Sequence, residues 1–331
     1  MKNLDRKTLG KSGIEVTRVG LGCAPLGGLY GDIPEEQAYE VVRRALSLGI
    51  NVIDTAPLYG YGKSEIRIGT AVQGWNRNDF VLATKVGRLL VPKEEGGDTS
   101  QDANWGTTSP LRPKFDFSYD AVMRSVEESL KRLQTDRIDI LHIHDPDDHY
   151  KQALSGAYPA LDKLRSQGVI RAVSAGMNQN EMLARFAREA DFDCFLLAGR
   201  YSILEQGAMD ELFPLCAKKN IGILLGGTYN SGILASDLNA GAKFNYADAP
   251  RDVLERARGL QTVAARHRVS LKAAASQFAL AHPQVTCIIP GTRVPDRVEE
   301  NLKVVDEPIP SEFWAELKAE KLIRQDAPVP E

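Results

Sequence analysis

Short runs of consecutive apolar residues alternate along the chain with stretches in which apolar residues recur at helical spacing. The runs predict strands at 19–22, 52–55, 81–85, 138–144, 170–176, 194–198, 222–227 and 286–290. The stretches between them predict amphipathic helices, for example over 35–49, 118–133, 158–168 and 209–220. Residues 7–22 also indicate a short hairpin before the first strand, and 311–323 indicate a helix after the last one. The pattern is that of eight strand–helix cycles.

This alternation predicts a parallel sheet, and eight cycles favour a closed (β/α)₈ TIM barrel over a doubly wound sheet. The dinucleotide fingerprint GxGxxG is absent after the first strand, where the chain reads GLGCAPLGG. We therefore expect one domain over 1–331: a TIM barrel with an N-terminal β-hairpin and extra C-terminal helices.

One long polar segment, 88–117, interrupts the alternation of strands and helices after the third predicted strand. It is rich in Gly, Pro, Ser, Thr and Asp. Loops of this length inside a compact domain are commonly lids or binding loops. Because it leaves the end of the barrel where active sites lie, we interpret it as a loop over the active site. A disordered insertion is the alternative.

Composition narrows the function classes. The chain has 331 residues, 43% of them hydrophobic and 26% charged, as in soluble globular proteins. The formal net charge of −3 argues against the positively charged surface that nucleic-acid binding needs, and no apolar run is long enough to span a membrane. The four cysteines show no metal-ligand spacing, so we interpret them as reduced thiols and expect no metal site and a cytoplasmic location.

Three successive predicted strands end in titratable groups. Asp54 ends the second strand, with Tyr59 just beyond it, Lys85 ends the third and His144 the fourth. Singly, each has a structural explanation as a cap, a loop aromatic, a strand-end charge or a hydrogen-bonded histidine. In a parallel barrel, however, these strand ends meet on one face.

Together they suit proton transfer at a carbonyl or alcohol oxygen. A buried lysine needs a partner, and Asp54 supplies one for Lys85. We expect the lysine charge to lower the pKa of Tyr59 and to make it a general acid or base, with His144 orienting the reacting oxygen. His142, two residues earlier on the same strand face, is the rival of His144; we favour His144 because it is nearer the strand end.

The eighth strand, in the segment IIPGTRVPDRVEEN (288–301), is followed by a Pro-Gly turn and a helix start. Its backbone amides, with Arg293 and Arg297, suit an anionic group at a helix N-terminus. An ordinary turn with exposed arginines is the alternative.

Seven motifs, taken in their order along the chain, resemble those of the aldo-keto reductase superfamily. They are GLGCAPLGG, DTAPLYGYGKSE, LATKVG, SVEESLKRLQTDRIDILHIHDPD, IRAVSAGMN, NSGIL and IIPGTRVPDRVEEN. The resemblance implies a barrel that binds NAD or NADP, with a tetrad of Asp54, Tyr59, Lys85 and His144 in which Tyr59 transfers the proton. The implied cofactor contacts are Gly22, Asp54, Asn178, Gly226, Ser231, Gly232, Gly291, Thr292, Arg293, Arg297, Glu300 and Asn301. Among these, Ser231 and Gly232 match a loop over the pyrophosphate, and Arg297 and Asn301 match the adenosine end.

Departures from the family pattern point to a subgroup. Gly176-Met177 replaces a Ser-Asn pair that holds the carboxamide, with Asn178 as a possible substitute, and Ala198 and Gly226 replace a glutamine and a stacking aromatic. These features resemble the group of D-threo-aldose (L-fucose) 1-dehydrogenases, pyridoxal 4-dehydrogenases and L-galactose dehydrogenases. The resemblance implies oxidation of an aldose at C1 to a lactone. The alternatives are pyridoxal oxidation, general aldehyde or ketone reduction, and a non-catalytic cofactor-sensing barrel.

The resemblance also bears on cofactor choice and partners. A lysine that pairs with the 2′-phosphate of NADP commonly follows the strand-eight Ile-Pro, and this chain has Gly291 there, which favours NAD. The expected partners are a small sugar or aldehyde and the chain itself, as a monomer or small homo-oligomer. No nucleic acid or membrane is expected.

Overall fold

Eight parallel strands form the centre of the protein in a computed structural model, which describes residues 3–100, 102–106, 108–235, 238, 242–245 and 247–330. In the order in which they pair, these strands are β3 (Leu21–Gly22), β4 (Val52–Asp54), β5 (Val81–Val86), β8 (Ile140–His144), β9 (Ala172–Met177), β10 (Cys194–Ala198), β11 (Gly222–Gly226) and β14 (Val285–Ile288). Parallel bridges Val19–Ile288 and Gly22–Gly291 join the first strand to the last. Outside the barrel, β12 (Lys243–Phe244) and β13 (Ala247–Asp248) form a short antiparallel pair. The predicted (β/α)₈ barrel is confirmed.

The strand bounds differ from the prediction by at most two residues at either end. The fourth and fifth strands begin at Ile140 and Ala172, two residues later than expected. Apolar residues just before a strand, such as Ile138 and Ile170, are buried without joining the ladder, so hydrophobicity alone overextends the strand.

Amphipathic helices surround the barrel. They are α1 (Glu35–Ser47), α2 (Lys63–Ala71), α3 (Tyr119–Leu133), α4 (Tyr150–Gln152), α5 (Tyr158–Ser166), α6 (Asn180–Glu189), α7 (Leu212–Lys219), α8 (Arg251–His267), α9 (Leu271–Ala281), α10 (Asp296–Lys303) and α11 (Ser311–Ala319). A π turn, Ala153–Ala157, joins α4 to α5, so this helical segment starts eight residues before the predicted 158–168. The extra helix predicted near the C-terminus is α11.

The N-terminal hairpin pairs β1 (Arg6–Thr8) with β2 (Glu15–Thr17) and closes the lower end of the barrel. Leu9, Ile14 and Val16 are buried and pack against inward-facing barrel residues. Gly10, with φ +54°, approaches the backbone of Gly222 so closely that a Cβ would lie 2.3 Å from its nitrogen. Only glycine fits there, and the opposite end of the barrel stays open for a site.

The segment predicted as a polar loop, 88–117, contains an antiparallel hairpin of β6 (Arg88–Pro92) and β7 (Leu111–Phe115). We call 88–117 the arm; its residues 101 and 107 lie outside the described residues. Trp105 near the arm's tip bridges to Leu29 and packs with Leu58, Tyr61 and Leu90 in an apolar cluster. The polar composition of the arm as a whole concealed a short apolar run, 89–91, in β6 and an alternating strand in β7.

In the part of the chain that the structure describes, no helix is both long and apolar enough to cross a membrane.

A histidine at the end of α9 links stability to pH. The ring of His282 packs between Tyr201 and Phe213, and its Nδ1 accepts a hydrogen bond from the Gln284 amide. Burial, with a smaller effect of Lys7, lowers the pKa of His282 to about 4, against about 6.5 in an unfolded chain. The unfolded state therefore binds the extra proton between these values, and the free energy of unfolding falls as the pH drops from 6.5 towards 4.

We predict that His282→Asn, which keeps an acceptor but does not titrate, flattens this dependence. The slope should fall by up to about 1.4 kcal/mol per pH unit, and by less if solvent screens this half-buried ring. Urea unfolding of both proteins at several pH values between 4 and 6.5 measures it. Equal slopes would show that His282 titrates alike in both states.

Candidate active site

Four predicted groups converge at the open end of the barrel because their strands end there. Asp54 is the last residue of β4, Lys85 lies one residue before the end of β5, and His144 ends β8. Tyr59 follows β4 in a tight turn, where its amide bonds to the Ala56 carbonyl. The parallel register thus brings together groups that are up to 90 residues apart in sequence.

Lys85 and Asp54 form a buried ion pair. Lys85 Nζ donates to Asp54 Oδ1 at 2.6 Å and to the Thr55 carbonyl at 2.7 Å, and both charged side chains are almost fully buried. Burial alone would raise the pKa of Asp54, but Lys85 and His142 outweigh it, so this pKa lies below its usual value. The carboxylate is charged, as its pairing requires.

Tyr59 lies next to this pair. Lys85 Nζ is 4.9 Å from the centroid of the Tyr59 ring, and the ring meets His144 edge-on with centroids 6.0 Å apart. The pKa of Tyr59 is raised well above its usual value, first by burial and then by the charges of Asp54 and Asp145. The expectation of a lowered pKa is therefore wrong for this structure, because desolvation and two carboxylates outweigh the nearby cation.

The two histidines of β8 occupy different places. His144 lies in the wall of a cavity with Tyr59, whereas His142 is fully buried below it in the barrel. Burial and the charge of Arg88 hold the pKa of His144 well below 6.5, so its ring is neutral. Its Nδ1 is buried with no hydrogen-bond partner among the described residues. The structure thus places His144, and not His142, where it can contact a bound molecule.

Two cavities meet at Tyr59. The first cavity encloses about 970 Å³ of empty space, including its open mouth, and lies between the ends of β3, β10, β11 and β14. The second encloses about 740 Å³ beneath the arm. Ala24, Leu29, Tyr59, Asn178, Leu196 and Ala198 belong to both walls. A ligand in one cavity can therefore contact a ligand in the other beside Tyr59.

The first cavity contains seven of the predicted cofactor residues: Gly22, Asp54, Asn178, Gly226, Ser231, Gly232 and Gly291. A Cβ on Gly226 would meet nothing closer than 3.6 Å, so a larger side chain would extend into space that is now open. Thr228 adds a buried hydroxyl without a hydrogen-bond partner among the described residues. A planar ring and its polar substituents fit such a wall.

The other predicted cofactor residues, Thr292, Arg293, Arg297, Glu300 and Asn301, do not line this cavity. The Arg293 Nη1 donates to the Tyr30 and Gly31 carbonyls at 3.3 and 3.4 Å, Arg297 is exposed, and Asn301 is buried. They lie on the turn after β14 and on α10, where the chain leaves the barrel end.

The sequence did not predict the residues that line the second cavity. Its wall includes Trp105 and Asn104 of the arm, Leu58 and Met177, and the carboxylate of Asp145. The ring of Trp105 lies beside the ring of Tyr59, with their centroids 5.8 Å apart and their planes tilted by 33°. An aromatic residue and a carboxylate that lie far from each other in sequence carry no joint motif.

Asp145 connects the arm with the first cavity. Its carboxylate accepts hydrogen bonds from Arg88 at 2.7 Å and Asn178 at 3.3 Å, and it lies 3.6 Å from His144 Nε2. Its φ of +42° is left-handed, a conformation that is uncommon without glycine and frequent at functional sites. This strand-end turn directs the Asp145 carboxylate towards Asn178.

Comparison with known proteins identifies the family of the chain. The model of the aldo/keto reductase family matches residues 18–321. The chain is similar to pyridoxal 4-dehydrogenase from Microbacterium luteolum, at 37% identity over 98% of the chain and 99% of that protein. It is also similar to D-threo-aldose 1-dehydrogenase from Pseudomonas sp, at 37% identity over 94% of the chain and 96% of that protein.

Among solved structures, the holo form of the aldo-keto reductase AKR11C1 from Bacillus halodurans superposes with a TM-score of 0.78. It is 26% identical and covers 99% of this chain and 98% of its own. The resemblance found in the motifs is thereby confirmed over the whole barrel. The chain belongs to the aldo/keto reductase family and is an oxidoreductase.

Proposed function

We propose that this protein is an NAD(P)-dependent dehydrogenase that oxidises an aldose at C1 to a lactone, with Tyr59 as the general acid and base. The observation that carries the proposal is the junction of the two cavities at Tyr59, beside the Lys85–Asp54 pair and a neutral His144. A nicotinamide in the first cavity and a small hydroxyl compound in the second would meet at this point.

Each group of the tetrad has a distinct task in this proposal. Tyr59 accepts the proton of the anomeric hydroxyl during oxidation and returns it to the carbonyl during reduction. The neutral His144 contacts the same oxygen and orients it. Lys85, fixed by Asp54, lies 4.9 Å from the centroid of the Tyr59 ring, where its charge favours the ionised phenol. Arg88 also opposes the burial and the carboxylate charges that raise the pKa of Tyr59.

The bound nicotinamide would supply the hydride acceptor, so that the C1 hydrogen leaves with its electron pair as the proton goes to Tyr59. Asn178, which like Tyr59 belongs to both cavity walls, would hold the carboxamide, and the Thr228 hydroxyl offers a further polar contact. Ser231 and Gly232 line the same cavity and would hold the pyrophosphate.

The second cavity suits a sugar. Trp105 offers an aromatic face to C–H groups, and Asp145 and Asn104 offer polar contacts to hydroxyl groups. The chain's similarity to a D-threo-aldose 1-dehydrogenase supports the same substrate class. Pyridoxal is the second candidate, because the relative named for it is equally identical and covers slightly more of the chain.

A substrate screen tests the proposal. L-fucose and related aldoses, and separately pyridoxal, should be incubated with NAD and with NADP while the absorbance of the reduced cofactor is followed. We predict turnover of at least one L-fucose-like aldose, with a higher kcat/KM than for pyridoxal. Turnover of pyridoxal alone would replace the substrate assignment, and turnover of neither with either cofactor would contradict it.

We predict that Tyr59→Phe lowers kcat by roughly 10²–10⁴-fold and leaves the Kd of the cofactor nearly unchanged, because only the phenolic hydroxyl is lost. If the variant kept more than half the wild-type rate under conditions where the chemical step limits turnover, Tyr59 would not have this role.

The raised pKa of Tyr59 also predicts how the wild-type rates depend on pH. Oxidation needs the ionised phenol, so its rate should increase with rising pH. Reduction needs the protonated phenol, so its rate should stay constant over the same range.

We predict that kcat/KM for NAD equals or exceeds that for NADP. At Gly291 a Cβ would lie 2.9 Å from the Gly22 carbonyl oxygen and 3.0 Å from Pro25, so the position that could carry a phosphate-binding lysine has no room for a side chain. One lost charge-assisted contact is worth about 1.5–3 kcal/mol, or roughly ten- to over a hundredfold in affinity.

Both constants should be measured with one substrate at fixed pH and salt, in the wild type and in Arg297→Met. The substitution removes a cation that could partly replace the lysine, so it should reduce kcat/KM for NADP more than for NAD. A wild-type preference for NADP above tenfold would contradict the assignment.

A further inference from the structure

His142 lies inside the barrel, directly below the tetrad, and the proposed mechanism does not use it. Its ring is fully buried between a polar group of the adjacent strand β9 and one of β4, two strands away. Nε2 is 3.2 Å from Asp54 Oδ2 on one side, and Nδ1 is 2.7 Å from Ser174 Oγ on the other. A buried imidazole thus connects the tetrad carboxylate with a serine on β9.

The hydrogen-bonding capacity of Asp54 requires a donor at this place. Oδ1 accepts from Lys85, whereas the buried Oδ2 has no well-aligned hydrogen bond among the described residues. His142 Nε2 lies 3.2 Å from this oxygen and is itself buried without a well-aligned hydrogen bond among the described residues, so the two atoms are placed to serve each other. A buried carboxylate oxygen left without a donor costs more than a neutral group does.

Asp54 and Ser174 together bear on which nitrogen of His142 carries the proton: the ionised carboxylate can only accept, whereas the Ser174 hydroxyl, which also lies 3.4 Å from the Ala175 carbonyl oxygen, can donate or accept. A serine hydroxyl can donate to Nδ1, which leaves the proton of the neutral ring on Nε2, facing Asp54. The charged and titratable groups around this ring are Asp54 on β4, Lys85 on β5, His144 on β8, and Cys194 on β10, which hydrogen-bonds Ser174. Burial lowers the pKa of His142, in keeping with a neutral ring.

We propose that His142 is a positioning residue: as the Nε2–H tautomer favoured by Asp54 and supported by Ser174, it holds the second oxygen of Asp54 and thereby fixes Lys85 beside Tyr59. This inference rests on the proposed role of the tetrad, but its geometry can be tested without turnover. The substrate contacts Tyr59 and His144, and His142 acts only through Asp54.

The first test is the tautomer. Long-range ¹⁵N–¹H spectra of histidine-labelled protein at neutral pH should show His142 protonated at Nε2, and Ser174→Ala should populate the Nδ1–H form. Ser125→Ala, a matched change at a buried serine of α3, should leave the His142 signals unchanged. A wild-type His142 protonated at Nδ1 would overturn the proposal.

The second test compares His142→Leu with His142→Gln, which can still donate to Asp54. In the leucine variant the pKa of Asp54, followed by its carboxyl ¹³C shift without cofactor, should rise by about one unit or more. The kcat of oxidation should fall at least tenfold at acidic pH, and the glutamine variant should recover most of both. If the leucine variant does not fold, Ser174→Ala and His142→Gln carry the same comparison.

An Asp54 pKa and a pH profile unchanged in His142→Leu would overturn the positioning role. Failure of the tetrad mechanism would give a different result: Tyr59→Phe would remain active, while the tautomer and the Asp54 pKa would still respond to Ser174 and His142.

Discussion

The ion pair between Lys85 and Asp54 is the constraint on which the rest of the site depends. An ammonium and a carboxylate in a barrel interior are tolerated only as a pair with further hydrogen bonds, and removing one partner of such a pair costs about 3–5 kcal/mol. The Thr55 carbonyl completes the environment of Lys85, and His142 lies at the other carboxylate oxygen. Side chains of three adjacent strands, β4, β5 and β8, are thereby joined beside the ring of Tyr59. The pair therefore serves the fold and the proposed chemistry together.

The shape of the site follows from small residues at strand ends. Gly176, Gly226 and Ala198 have little or no side chain where the barrel opens, and the space they leave is shared between the two cavities. The larger groups come from loops: Tyr59 from the turn after β4, and Trp105 from the arm. A rigid barrel thus provides the floor, and longer connections provide the walls that contact a substrate.

The sequence predicts the barrel and the tetrad for different reasons. Buried parallel strands are continuous apolar runs, so the ends of the eight strands can be located to within two residues. The ends of three of these strands then identify Asp54, Lys85 and His144 as the titratable groups of the site. The arm could not be predicted as a hairpin, because its polar composition resembles that of a loop. The raised pKa of Tyr59 and the neighbours of Asp145 depend on burial and on contacts between distant segments, which no local pattern encodes. The roles of the cofactor residues stay predictions, with seven of them in one cavity wall.

The seam between the first and last strands has a consequence of its own. The parallel bridges Val19–Ile288 and Gly22–Gly291 close the barrel, and Gly22 and Gly291 also form part of the wall of the first cavity. A molecule bound in this cavity would contact both edges of the sheet at a seam that isolated bridges join in place of a continuous ladder. Ligand binding would then suppress local opening of the barrel, and the slowing of amide exchange would begin at this seam and spread to both flanking strands. Closure of the fold and occupancy of the site are, in this sense, one equilibrium.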